Sequence, residues 1–220
     1  MGPEDQDWFA ARAEAWAAQA GGRQLAAAVA SLPDDVGLRT AVLVEGASDR
    51  AALEVLAARR GRDLSAEGVA VVALGGSKNV WRYVRVFGPP GRGVRLAGLC
   101  DANEEPDFCR ALTRGGLGPV AGRDQLDQLG FFVCVDDLED ELIRALGPAA
   151  VEEVIETQGD LRSWRTFRKQ PAQAAVPLHR QLRRFAGTRS GRKVGYAAVL
   201  VAALDLSGVP RPLDALLEQL

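Results

Sequence analysis

Four short apolar runs, each followed by a segment with helical spacing, constrain this chain more than any other feature. Thr40 to Val44, Val69 to Leu74, Val94 to Cys100 and Phe131 to Val135 are each almost wholly apolar. Strands of a parallel sheet covered on both faces need that composition. Helices are predicted after each run: Asp49 to Arg60, Ser77 to Phe87, Pro106 to Thr113 and Asp137 to Leu146. Ser48 and Ser77 stand where a hydroxyl can cap the first two. Such alternation gives an α/β domain with a four-stranded, mainly parallel sheet over residues 38–147. An Ala-rich helical segment with Trp8, Phe9, Trp16 and Leu25 as anchors, split at Gly21-Gly22, occupies 1–37. A C-terminal helical region occupies 148–220, with helices at Pro148 to Thr157, Pro177 to Phe185, Lys193 to Leu204 and from Pro212 onward. The glycine-rich stretch after Thr113 reads as a loop.

Composition then narrows the chemistry. Cys100, Cys109 and Cys134 form no CxxC pair and His179 is the only histidine, which argues against structural zinc. Cys100 reads as a core residue of the third strand. A sparse, odd cysteine count fits a reducing compartment. Glu4, Asp5 and Asp7 occupy the place of a signal peptide's basic region. The longest apolar run, Tyr196 to Leu204, is too short to span a bilayer. A cytoplasmic protein without a membrane partner is expected; nothing in the sequence specifies its oligomeric state.

The acids gather at the ends of the apolar runs. Glu45 ends the first, and Asp49 lies one helical turn later. Asp101 ends the third, with Asn103, Glu104 and Glu105 behind it. Asp136, Asp137, Glu139, Asp140 and Glu141 follow the fourth. In a parallel α/β sheet the strand ends share one edge, where ligands bind. Carboxylates converging there form a site for a hard cation such as Mg2+ or Mn2+. They repel one another unless a cation intervenes, and no base within these motifs offsets them. Each acid alone reads equally as a helix cap or a first-turn residue favoured by the helix dipole. Asp140 and Glu141 read as a solvated helix face.

Net charge is −2, yet no acid lies between Asp160 and Asp205. That window holds Arg162, Arg165, Arg168, Arg180, Arg183, Arg184, Arg192 and Lys193, with Trp164 and Phe167 among the first arginines. Such a stretch beside an acidic site suits a nucleic-acid track. The alternative is that these arginines pair with the acids and hold the helices down.

The ordered motifs resemble the TOPRIM domain shared by topoisomerases, bacterial primases, small ribosomal RNA maturases and nucleases of the OLD (overcoming lysogenization defect) family. The resemblance rests on Val44-Glu45-Gly46 with Asp49, Leu74-Gly75-Gly76-Ser77-Lys78-Asn79, Asp137-Leu138-Glu139-Asp140-Glu141-Leu142, and Lys193 after Gly191-Arg192. It covers roughly residues 38–205 and is closest to the OLD-like branch. It implies a Rossmann-like TOPRIM fold and a two-metal endonuclease or nucleotidyl transferase acting on phosphodiester bonds, on DNA rather than RNA. It further implies metal at Glu45, Asp49, Asp101, Asn103, Asp137 and Glu139, and catalytic roles for Glu45, Asp101 and Lys193. Nucleic acid would lie along Arg162, Arg165, Arg168, Arg183, Arg184 and Arg192. Gly75, Gly76 and Ser77 read equally as a turn that admits a phosphate to backbone amides or as a plain strand-to-helix turn with a cap, and Lys78 can touch a phosphate. Two departures stand out. The family's Asp-x-Asp appears here as Asp101-Ala102-Asn103, so one position lacks charge, for which Glu104 or Glu105 can compensate. No GxxxxGK[ST] occurs, although OLD proteins carry an ATPase ahead of TOPRIM. A free-standing TOPRIM protein is therefore expected, with an ATPase on another chain as a candidate partner. A ribosomal RNA maturase and a non-catalytic nucleic-acid-binding or regulatory module are the other readings.

Overall fold

A computed structural model describes residues 37–188 and 192–220, with side chains from Val194 onward in the second stretch. All but Gly37 of the predicted 1–37 helical segment lies outside the described residues. The four strands are β1 (Thr40–Val44), β2 (Val69–Ala73), β3 (Arg95–Asp101) and β4 (Phe131–Cys134), within one or two residues of the apolar runs. The helices are α1 (Ala47–Arg59), α2 (Val80–Phe87), α3 (Glu105–Arg114), α4 (Arg123–Gln128), α5 (Leu138–Thr157), α6 (Leu161–Arg168), α7 (Leu178–Ala186), α8 (Arg192–Ala203) and α9 (Arg211–Gln219).

The sheet order is β2-β1-β3-β4, and every pairing is parallel. Alternate residues divide between two faces, as the period of a strand requires. Val42, Val44, Leu99, Phe132 and Cys134 pack on one face with α1 and with Leu142, Trp164, Leu182, Phe185, Tyr196, Leu200 and Leu213 from the C-terminal helices. Ala41, Leu43, Val72, Cys100, Phe131 and Val133 pack on the other with Tyr83, Phe87, Phe108, Leu112 and Leu126. The C-terminal helices therefore share a core with the sheet. Arg59 reinforces this by donating to the Val201 carbonyl at 2.7 Å, and Arg60 pairs with Asp214.

Close approach of the two central strands depends on Gly98. A Cβ there would lie 2.3 Å from the Leu43 carbonyl oxygen and 3.0 Å from the Phe131 ring. The two helices predicted on either side of residue 147 are found: positions 138–157, here α5, break at the non-helical Gly147 (φ 77°), just before Pro148. The stretch read as a loop contains α4, whose Leu126 is fully buried. Neither serine caps as predicted. The N-cap of α1 is Gly46, and Ser77 opens a 3-10 turn ahead of α2.

β1 and β3 are neighbours, yet α1 lies on one face and α3 on the other. That arrangement makes a topological switch point between the carboxyl ends of β1 and β3. Glu45 and Asp101 stand there.

Candidate metal centre and basic cleft

Glu45 follows the last residue of β1, and its backbone is held from the side. The N–H groups of Gly75 and Gly76 donate to the Glu45 carbonyl at 3.0 and 3.3 Å. Both glycines have positive φ (66° and 112°), which a side chain would resist. The Asn79 amide closes this turn onto the carbonyls of Leu74 and Gly75 at 3.0 and 3.2 Å. The glycine amides are thus committed to Glu45, which fits the plain turn of the two sequence readings rather than the phosphate one.

Asp101 ends β3. A tight turn, with Glu104 N–H donating to the Asp101 carbonyl at 2.9 Å, brings Glu104 back to the same edge. Carboxylate oxygens of Glu45, Asp101 and Glu104 lie within 4.8 Å of one another. Burial, then the charges of Glu45, Asp49, Asp137 and Glu104, push the Asp101 carboxyl up to about 8. Burial and Glu45 also raise Glu104. The Oε2 of Glu104 is buried and accepts no hydrogen bond. Clustered hard oxygen donors, one of them orphaned, fit a divalent cation better than they fit each other.

The other predicted ligands divide. Asp49 is nearly buried in the first turn of α1; its Oδ2 accepts from Gly46 N–H at 2.9 Å, and its charge reaches Asp101. Asp137 caps α5, accepting from Asp140 N–H at 2.8 Å, and its charge also reaches Asp101. Glu139 is buried and lines the cleft beside it. Asn103 is exposed, and Glu104, next in the chain, joins the acidic group. Asp140 and Glu141, read as a solvated face, are 4% and 7% exposed. Both pair with Arg144, at 2.7 and 2.8 Å, and Glu141 also accepts from Val135 N–H.

The expectation that no base offsets the acids fails at the fourth strand. Arg183 on α7 donates to the Asp137 Oδ2 at 2.7 Å through Nε, and its Nη1 is 3.8 Å from Asp136. This pair couples the acidic edge to the basic window. Asp136, Asp137 and Glu139 face Arg180, Arg183 and Arg184 across a cleft of about 710 Å³, closed by Gly187 and Thr188. A smaller cleft of about 350 Å³ joins it at Thr188 and includes Arg162, Thr166 and Gln170. Arg165 is exposed on α6. Arg168 pairs with Glu152 at 3.2 Å and lies over Trp164.

Trp164 is not a base-stacking platform. It is 1% exposed, packs against Phe167 and Phe185, and donates its indole N–H to Glu152 at 2.8 Å. Cys100 is a core residue as predicted, its thiol pushed up by burial. Arg192 and Lys193 begin α8; their side chains lie outside the described residues. No helix among the described residues is long and apolar enough to cross a membrane.

Residues 38–102 match the family model "Overcoming lysogenization defect protein-like, TOPRIM domain". Among curated proteins none matches the chain. Solved structures are similar across most of its length. The C-terminal region of the Xanthomonas campestris pv. campestris OLD protein is 23% identical, with a TM-score of 0.62, covering 82% of this chain and 93% of that one. The C-terminal region of the Burkholderia pseudomallei OLD protein is 21% identical, with a TM-score of 0.59, covering 82% of this chain and 96% of that one. These identities establish a shared fold. The TOPRIM resemblance read from the motifs thus agrees with the matched domain and with the parallel sheet: residues 38–102 match an OLD-like TOPRIM domain, within a chain that shares the fold of these OLD C-terminal regions.

Proposed function

We propose that this protein is a divalent-metal-dependent nuclease that hydrolyses phosphodiester bonds in nucleic acid, with DNA as the expected substrate. The observation that carries the reading is the grouping of Glu45, Asp101 and Glu104 within 4.8 Å at the β1/β3 edge, beside an arginine-lined cleft. Those three residues, with Asp49, would hold Mg2+ or Mn2+, and Asp137 and Glu139 would complete a second position. Bound ions of this kind supply an activated water and neutralise charge on the phosphate. The chain itself supplies orientation: the glycine amides fix the Glu45 backbone, and Arg180 and Arg184 offer donors to phosphate oxygens. Lys193, at the start of α8, would stabilise charge on the leaving oxygen. An ATPase on another chain is a candidate partner, to be sought by copurification.

A second reading, a nucleic-acid-binding or regulatory module, draws on one observation. Arg183 already neutralises Asp137, as a structural ion pair would.

The test is cleavage of supercoiled plasmid and of structured RNA in Mg2+ or Mn2+, beside Glu45→Gln and Asp101→Asn. Cleavage lost in both variants supports the nuclease. Metal and nucleic-acid binding without cleavage supports the module, and RNA-restricted cleavage supports a maturase. Cleavage that survives both substitutions removes the proposed centre.

A further inference from the structure

A second basic groove lies on the opposite face of the sheet from the arginine cleft. It has a volume of about 290 Å³ and is lined by Ser77, Lys78, Trp81, Asp107, Arg110 and Arg114, at the N-terminal side of α2 and along α3. Three cations there outnumber one carboxylate. That carboxylate is occupied: Ser77 Oγ donates to the Asp107 Oδ2 at 3.2 Å, and Arg110 pairs with its other oxygen. The Arg110 side chain is nevertheless 70% exposed, and Lys78 is exposed as well. Arg114 is held in place by stacking, its guanidinium carbon 4.3 Å from the Trp81 ring centre. A guanidinium ordered in this way loses little freedom when it binds an anion.

The groove adjoins the acidic centre. Asp107, which accepts from Ser77, lies in the first turn of the helix that follows Glu104, and its N–H donates to the Glu104 carbonyl at 2.8 Å. Across the sheet edge, Asp101 pairs in register with Cys134 of β4, and Asp136 and Asp137, which follow that strand, line the larger cleft. The acids therefore sit between two basic surfaces, one formed by α2 and α3, the other by α5 and α7. From this geometry we propose that Lys78, Arg110 and Arg114 form a phosphate-binding subsite for the substrate strand. The strand would cross the sheet edge over Glu45, Asp101 and Glu104 and be gripped on both sides. The inference rests on the nuclease reading for its ligand, a nucleic-acid phosphodiester backbone. It goes beyond that reading by assigning an α2/α3 arm that the basic C-terminal window does not contain.

The test is fluorescence anisotropy of labelled single-stranded DNA, duplex DNA and RNA with the full chain, at a series of salt concentrations without cleavage-supporting metal. Lys78→Glu with Arg110→Glu reverses the two exposed cations. Arg114→Ala is measured separately, because it also uncovers Trp81. Two lost phosphate contacts should lower the slope of log affinity against log salt by about 1.4 on single strands or about 1.8 on duplex. Affinity near 0.1 M salt should fall about tenfold in the double variant. Lys78→Gln with Arg110→Gln should show the same direction with a smaller loss, while thermal melting matches the wild type. Wild-type binding and cleavage with unchanged affinity and slope in these variants would overturn the subsite and leave the nuclease standing. A wild type that neither binds nor cuts nucleic acid overturns both.

Discussion

Replacing Asp101 with asparagine tests the acidic centre most directly, because it removes charge while keeping shape. Carboxylate oxygens of Glu45, Asp101 and Glu104 lie within 4.8 Å of one another. At that separation two like charges repel by about 3 kcal/mol at an effective dielectric of about 20. Asp101 faces two such partners, for about 6 to 7 kcal/mol before solvent acts. All three residues are only partly buried, and screening removes half or more, leaving about 2 to 3 kcal/mol. Asp101→Asn should therefore raise metal-free stability by about 2 to 3 kcal/mol, or about 4 to 12 °C in Tm for a chain of this size.

The pH dependence fixes the sign. The Asp101 carboxyl moves from its ordinary 3.8 up to about 8 in the fold. Between those values the folded protein holds a proton that the unfolded chain has released. Wild-type stability therefore falls as pH rises through that window and levels above it. Asp101→Asn lacks this titration, so its advantage opens from the acid end and is complete near pH 8. Metal offsets that advantage. A cation binding only the folded state stabilises the wild type by about 2.7 kcal/mol at a hundredfold excess over its Kd, and the variant forgoes that gain. Thermal melts in chelator and in Mn2+, at pH values spanning the window, read both effects. A variant less stable than wild type in chelator above pH 8, or one that keeps the full Mn2+ shift, would refute the reasoning.

Four further substitutions separate the roles of neighbouring residues. Glu104→Gln should weaken Mn2+ affinity about tenfold or more, whereas Asn103→Ala should change it less than about twofold, as titration calorimetry can read. Arg183→Ala leaves Asp137, whose side chain is 15% exposed, without its ion pair. It should cost about 1 to 3 kcal/mol in urea unfolding and enlarge the stabilisation gained on adding Mg2+. Trp164→Ala opens the core beneath α6 and should cost about 3 to 5 kcal/mol. Nucleic-acid affinity at a temperature where the variant stays folded should remain near that of the wild type.

The sheet was legible because its residues are buried on both faces, and that requirement leaves a local mark. β1 follows Thr40 to Val44 as read, and the other strands shift by a residue or two. Elements whose burial depends on distant partners left a fainter mark. α4 lies in a glycine-rich stretch, and its formation is tied to Leu126 entering the core beside Phe131. α6 depends on Trp164 packing against Phe185, which comes from another helix. The predicted serine caps failed for a local reason. Asp49 ties the start of α1 through Gly46 N–H, and the positive φ of Gly76 leads into a 3-10 turn at Ser77.

The candidate site divides along the same line. Its acidic half could be read because a strand end and the residue after it reach the carboxyl edge wherever the strand sits in the sheet. That β1 and β3 are neighbours, so that Glu45 and Asp101 meet, is a matter of topology. That Glu104 joins Glu45 and Asp101 depends on one turn, in which Glu104 N–H reaches the Asp101 carbonyl. A motif with two acids in alternate positions has no means of expressing that turn. The basic half could be read only as a charge imbalance. Its arginines take different parts that depend on contacts far along the chain. Arg183 reaches back to Asp137, and Arg168 to Glu152, so both do what the alternative reading assigned to all of them. Arg162 and Arg184 instead line open clefts. A basic window in a sequence therefore marks where a phosphate track can form, while the ion pairs made by the folded chain decide which of its members are left to serve it.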